Sequence, residues 1–114
     1  MYDSMDGRKV LSVSNSYEQK YYLNEEFDSL PESVKDELKI MSVLYTEDVG
    51  GILTLAYDED GTLEFDVMCD EGDLLFDEIG SVLKIKQLRE QKAELLEALE
   101  MYYKVFFLGE EPEE

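Results

Sequence analysis

Residues 52–68 of the chain read ILTLAYDEDGTLEFDVM, and this stretch decides the fold. Two runs of strand-forming residues, Ile52 to Tyr57 and Thr62 to Met68, flank a turn that contains glycine. A three-residue loop ending at a left-handed Gly61 gives one wholly apolar face, in the pairs Tyr57–Leu63, Leu55–Phe65 and Leu53–Val67. A register shifted by one residue would put carboxylates on that face, so the sequence predicts this hairpin.

The segment before this hairpin predicts a third strand. Residues 41–46 are also rich in strand formers. A turn at 48–50, with Gly50 in the left-handed conformation, would pair Tyr45 with Leu53 and continue the apolar face. The sequence therefore predicts a three-stranded meander.

The beginning of the chain predicts a separate β-hairpin. Strand-like residues at 9–14 and 17–23 flank the turn signal Asn15-Ser16. We expect these two strands to belong to an antiparallel sheet.

A short helix is predicted between the hairpin and the meander, over residues 31–39. Ser29 and Glu32 have the spacing of a capping box, in which each side chain accepts a hydrogen bond from a free backbone N–H. Pro31 suits the first turn of a helix, where no N–H is needed.

The last third of the chain has helical spacing from Asp73 to Leu108. We expect Asp73 to cap this helix and Gly80-Ser81 to kink or split it. The predicted core-facing stripe comprises Leu75, Ile79, Val82, Ile85, Leu88, Leu95, Leu99, Tyr102 and Phe106. The complete prediction is one α+β domain over residues 1–108, in the order ββ-α-βββ-α, followed by an acidic disordered tail at 109–114.

Negative charge is concentrated in the middle of the sequence. The formal net charge is −19, and the 44 residues from Ile40 to Leu83 contain 12 carboxylates and no Lys or Arg. A field of this size repels nucleic acids and anionic membranes and attracts basic partners. We therefore expect neither nucleic-acid nor membrane binding.

The expected compartment is the cytoplasm. Cys69 is the only cysteine, which fits a reducing environment. No apolar run reaches the ~20 residues that span a bilayer, and the N-terminus, with Asp3 and Asp6, is unlike a signal peptide.

Patterns for catalysis and metal binding do not appear in the sequence. The chain has no histidine, which removes the commonest general acid–base group. A calcium loop with Gly61 or Gly72 at its sixth position would put Ala56 or Val67 where its first carboxylate belongs. We expect no cofactor, no metal and no enzymatic activity; a carboxylate- or metal-dependent enzyme is the remaining alternative.

The function that these observations favour is protein–protein interaction. One alternative is an acidic inhibitor, immunity-type protein or nucleic-acid mimic that neutralises a basic partner. Surplus apolar residues over 101–108 also allow a homodimer through the C-terminal helix. The candidate partner-binding residues are Asp58, Glu59, Asp60, Asp70, Glu71, Asp73, Met101 and Phe107.

Overall fold

The structure, a computed structural model, describes residues 7–110; the first six residues and residues 111–114, most of the predicted tail, lie outside this range. Its elements are strands β1 (Lys9–Asn15) and β2 (Lys20–Leu23), helix α1 (Glu32–Val49), strands β3 (Ile52–Tyr57) and β4 (Leu63–Met68), and helices α2 (Glu78–Gln91) and α3 (Ala93–Phe106). The strands form one antiparallel sheet in the order β2-β1-β3-β4. The α+β class is confirmed, but the predicted order ββ-α-βββ-α is wrong, because two strands and two helices follow α1.

The register predicted for the β3–β4 hairpin is confirmed. Tyr57 lies opposite Leu63, and the pairs Leu55–Phe65 and Leu53–Val67 follow. Gly61 has a φ of 87°, the left-handed conformation that the three-residue loop requires. The predicted N-terminal hairpin is also present, although β2 starts at Lys20 because the preceding residues form the turn.

The predicted third strand of the meander is wrong, because residues 41–46 are helical. Helix α1 continues to Val49, and the left-handed Gly50 ends the helix instead of forming a β-turn. Strand β1 takes the place beside β3 that the prediction gave to residues 41–46. The physical reason is the helical spacing of the buried positions, which gives α1 one continuous face toward the sheet: Leu38, Met41, Ser42, Tyr45, Thr46 and Val49.

The capping box predicted at the start of α1 is absent. The helix begins at Glu32 after Pro31, and no side chain among the described residues caps it. The Ser29 hydroxyl instead hydrogen-bonds the Tyr102 hydroxyl on α3. Ser29 thus connects two elements of the fold and does not form a capping box.

The single C-terminal helix of the prediction is two helices. They meet at Lys92, whose φ of −111° and ψ of 26° are not helical. Gly80-Ser81 lies within α2 and does not split it. Asp77, not Asp73, caps α2, since its carboxylate accepts a hydrogen bond from the backbone N–H of Gly80.

All three helices contribute to one core on the same face of the sheet. Tyr57 and Tyr103 stack with ring centroids 4.1 Å apart, and the Tyr57 hydroxyl donates to the Leu99 carbonyl oxygen. Burial is the main reason that the pKa of Tyr57 is raised. Across the sheet, a smaller cluster on the other face contains Val10, Val13 and Ala56.

Buried hydrogen bonds join Tyr45 on α1 to Ser81 on α2: the two hydroxyls are bonded, and the Tyr45 hydroxyl also lies 3.3 Å from the Ser81 carbonyl oxygen. Tyr45→Phe and Ser81→Ala should each lower the free energy of unfolding by about 1–2 kcal/mol, measured by urea denaturation. Both variants delete the same interaction, so the double variant should lose clearly less than the sum of the two. Strict additivity would show that this bond does not couple the helices.

Candidate interaction surface

The predicted acidic residues occupy two separate places. Asp58, Glu59 and Asp60 form the β3–β4 turn, where the Asp58 carboxylate accepts from the backbone N–H groups of Asp60 and Thr62, at 2.9 Å each. The second group, at 70–73, follows the far end of β4. A strand of this length spans about 20 Å. The structure therefore does not bring the two groups together, and Asp58 shapes the turn itself.

The two candidates near the end of α3 differ in exposure. Met101 is 44% exposed. Phe107 is half-buried and stacks on Phe27 and Tyr103, with ring centroids 4.8 and 5.0 Å away. Phe107 thus packs against the core, whereas Met101 and Phe106 are exposed.

A larger exposed surface lies around the start of α2. Here five large aliphatic side chains face solvent, which we call the apolar patch: Leu74 (95% exposed), Leu75 (93%), Ile79 (76%), Val82 (66%) and Leu83 (63%). Single exposed apolar residues are ordinary, but five within ten residues of sequence are unusual, and such groups are found at interaction sites or aggregation hazards.

The predicted core-facing stripe is wrong at this end of α2. Leu75, Ile79 and Val82 were expected to face the core, but the buried residues of α2 are Ser81 and Leu88. Ser81 is held inward by its bond to Tyr45 on α1. The buried side of α2 carries a serine, whereas the exposed side carries isoleucine, valine and leucine. Hydrophobic patterning alone therefore assigns the wrong side of α2 to the core.

The loop that leads to the apolar patch is attached to the β1–β2 turn by Tyr17. Its hydroxyl donates to the Asp73 carboxylate and accepts from the backbone N–H of Asp70 at 2.9 Å. The hydrogen bond from Tyr17 is the main reason that the pKa of Asp73 lies below its usual value. These bonds fix the loop immediately before Leu74.

The loop is attached a second time directly after Leu74 and Leu75, through Phe76 and Asp77. A Cβ placed on Gly51 would lie 2.9 Å from the ring of Phe76, which shows how closely Phe76 packs on this backbone. The backbone N–H of Asp77 donates to the Val49 carbonyl oxygen at 3.1 Å. Leu74 and Leu75 are therefore held outward between two anchored points.

The charge around the apolar patch is acidic. Five carboxylates, and no base, lie between residues 70 and 78: Asp70, Glu71, Asp73, Asp77 and Glu78. The next base, Lys84, forms an ion pair with Asp48 at 3.3 Å. The patch is thus an apolar centre with an acidic rim, an arrangement typical of protein interfaces.

Within residues 7–110, no group of three or more acidic or cysteine side chains is arranged to hold a metal ion. No helix in this range is both long and apolar enough to cross a membrane. Cys69 is exposed and unpaired with another cysteine.

Comparison with known proteins gives one family match. The model that matches is described as "Family of unknown function (DUF6145)", and it covers residues 8–111. Neither the curated proteins nor the solved structures give a match.

The packing behind the apolar patch can be tested with two glycines. Gly51 and Gly72 have φ angles of 78° and 82°, so alanine at either position is strained. Only at Gly51 would the new Cβ meet neighbouring atoms, with the Met68 carbonyl oxygen 2.7 Å away. Gly51→Ala should therefore lower the free energy of unfolding by roughly 1–3 kcal/mol more than Gly72→Ala. Equal losses in urea denaturation would contradict this packing.

The Tyr17 attachment can be tested through the pKa of Asp73. The hydrogen bond favours the ionised carboxylate, so Tyr17→Phe should raise this pKa toward the usual value. The stabilisation is present above the unfolded pKa and is lost as the pH falls through the lowered folded value. A pH titration of the Asp73 carboxyl carbon by NMR measures the shift. An unchanged pKa would mean that Tyr17 does not hold the loop.

Proposed function

Because the chain belongs to DUF6145, a family of unknown function, its role must be argued from its own surface, and we propose that it is a non-enzymatic protein-interaction module. The observation that carries this proposal is the apolar patch at the start of α2. Its partner is a basic protein that covers the patch with an apolar face and meets the acidic rim with Lys or Arg.

Burial of the apolar patch supplies the affinity. Covering a large aliphatic side chain gains about 1.5–3 kcal/mol, and Leu74 and Leu75 have nearly all of their surface available. Because both ends of their loop are attached, through Tyr17 and Phe76, little ordering accompanies binding. The surface is therefore ready to bind without rearrangement.

Charge selects the kind of partner. Two copies of this chain would each bring a net charge of −19 and the same acidic rim to the interface. Repulsion between like charges weakens the association of two copies. A basic partner, in contrast, associates faster and more specifically with this acidic surface. A basic partner is therefore favoured over a second copy of the chain.

The experiment compares two isoleucines on exposed helix positions. Ile79 belongs to the apolar patch and is 76% exposed; Ile40, on α1, is 59% exposed. Glu37, one turn before Ile40, pairs with Lys92, which directly follows α2, whereas Ile79 lies in the first turn of α2. Ile79→Asp and Ile40→Asp make the same change in chemistry and net charge.

The probe is a synthetic amphipathic helix with leucine on one face and lysine on the other, followed by fluorescence anisotropy at low salt. Ile79→Asp should weaken binding at least tenfold, and Ile40→Asp should leave it nearly unchanged. The same helix with glutamate in place of lysine should not bind. Equal weakening by both variants would contradict the patch. A dimer in sedimentation that Ile79→Asp abolishes would contradict the basic partner.

A further inference from the structure

Strand β4 is an open edge of the sheet. It is the last strand in the order β2-β1-β3-β4, so among the described residues only β3 pairs with it. The Asp58 N–H donates to the Thr62 carbonyl oxygen at 3.0 Å, which makes these two residues a hydrogen-bonded pair next to the turn. Because hydrogen-bonded and non-hydrogen-bonded pairs alternate along an antiparallel ladder, the backbone groups of Leu63, Phe65 and Val67 point away from β3.

The first of these outward groups has a partner on α3, and the other two residues are open. The Leu63 N–H donates to the Glu100 carboxylate at 2.7 Å, which agrees with the outward direction. Within residues 7–110, the N–H and C=O groups of Phe65 and Val67 form no hydrogen bond. The open part of the edge thus begins after Leu63 and runs to the end of β4 at Met68.

The edge has a positive flank on the side of the helices. The guanidinium carbon of Arg89 lies 4.8 Å from the centroid of the Phe65 ring. Lys86, three positions earlier, lies on the same side of α2, whereas Lys84 faces α1 and pairs with Asp48. Arg89 and Lys86 are exposed, and neither forms an ion pair with another residue of the described range. The side chains of an added strand would therefore meet positive charge on this face.

The opposite face of the same edge is negative. Strand alternation puts Glu64 and Asp66 on the face away from the helices, opposite Ala56 and Thr54 of β3. Arg8 pairs with both carboxylates, at 3.1 and 3.6 Å, so one positive charge is shared between two negative ones. The two acidic side chains remain 41% and 36% exposed. An added strand would therefore meet negative charge on this face.

We propose that β4 binds an extended segment of a partner protein as a fifth strand of the sheet, and that acidic and basic side chains alternate along this segment. The backbone groups of Phe65 and Val67 supply hydrogen bonds, and the two faces of the edge select the charge pattern. Acidic side chains of the segment lie on the helix side near Arg89, and basic ones lie near Glu64 and Asp66. The site shares no residue with the apolar patch, so the two proposals stand or fall separately.

A second copy of the chain does not fit this edge. In antiparallel pairing of two β4 strands, Glu64 and Asp66 would lie beside the same carboxylates of the other copy, and Arg89 would lie on the same face as its counterpart. Like charges placed opposite each other destabilise a sheet, and charged side chains are a common protection of edges against self-association. The occupant is therefore a strand with a different charge pattern.

The test is an NMR titration of backbone amides at low salt with a short peptide in which Lys and Glu alternate. The amide protons of Phe65 and Val67 should move downfield in a saturable way, because their N–H groups gain hydrogen bonds. Those of Glu64 and Asp66, which already point to β3, should move much less. A peptide of the same composition, with Lys and Glu in two separate blocks, should bind at least fivefold more weakly.

Two pairs of variants separate hydrogen bonding from charge. Val67→Pro removes an N–H that makes no bond within residues 7–110, so the fold should persist while peptide binding is lost. Val67→Ala keeps the N–H and should bind nearly as well as the unchanged chain. Arg89→Glu should weaken binding at least fivefold. Lys39→Glu makes the same kind of charge reversal beside Tyr21 on β2, at the other edge of the sheet, and should have little effect.

Three results would overturn the proposal. The first is the absence of saturable shifts at Phe65 and Val67. The second is equal affinity for the alternating and the block peptide, which would indicate attraction by overall charge. The third is unchanged binding by a Val67→Pro variant whose β3 amide spectrum shows that the fold is retained. Equal binding by Arg89→Glu and Lys39→Glu would overturn it as well, whether or not Val67→Pro folds.

Discussion

The packing of α1 across β1 and β3 is the contact on which the rest of the structure depends. Its buried face, with Leu38 and Tyr45 fully covered, closes the core over the two central strands. Thr46 joins it to β1 through a hydrogen bond to Ser14, and Tyr45 joins it to α2 through Ser81. The same helix ends where Phe76 packs, so the position of the apolar patch depends on it.

Local patterns were sufficient for part of this fold. The β3–β4 register followed from alternation, because a single shift would have placed Glu64 and Asp66 among the apolar side chains. Strand propensity predicts the wrong element for residues 41–46, which are helical. The burial of Leu38, Met41 and Tyr45 at helical intervals shows which signal wins once a sheet is available to cover.

The sites were harder to predict, since they depend on contacts between distant residues. The acids near 58 and 70 lie on either side of the strand that the sequence predicts at 62–68, so their separation follows from that strand. The apolar patch was visible as a stripe of leucine and isoleucine, assigned to the wrong side of α2.

The strand order has a consequence for synthesis on the ribosome. Strand β1 is made before the other strands of the sheet, yet it lies in the interior of the sheet, between β2 and β3. Its hairpin with β2 can form at once, but the opposite edge stays unpaired until α1 and β3 have been made. An open edge of this kind is a template for pairing with other chains. The nascent protein thus passes through a stage in which the strand that will lie inside the sheet still has an open edge, and that edge is closed only when β3 pairs with it.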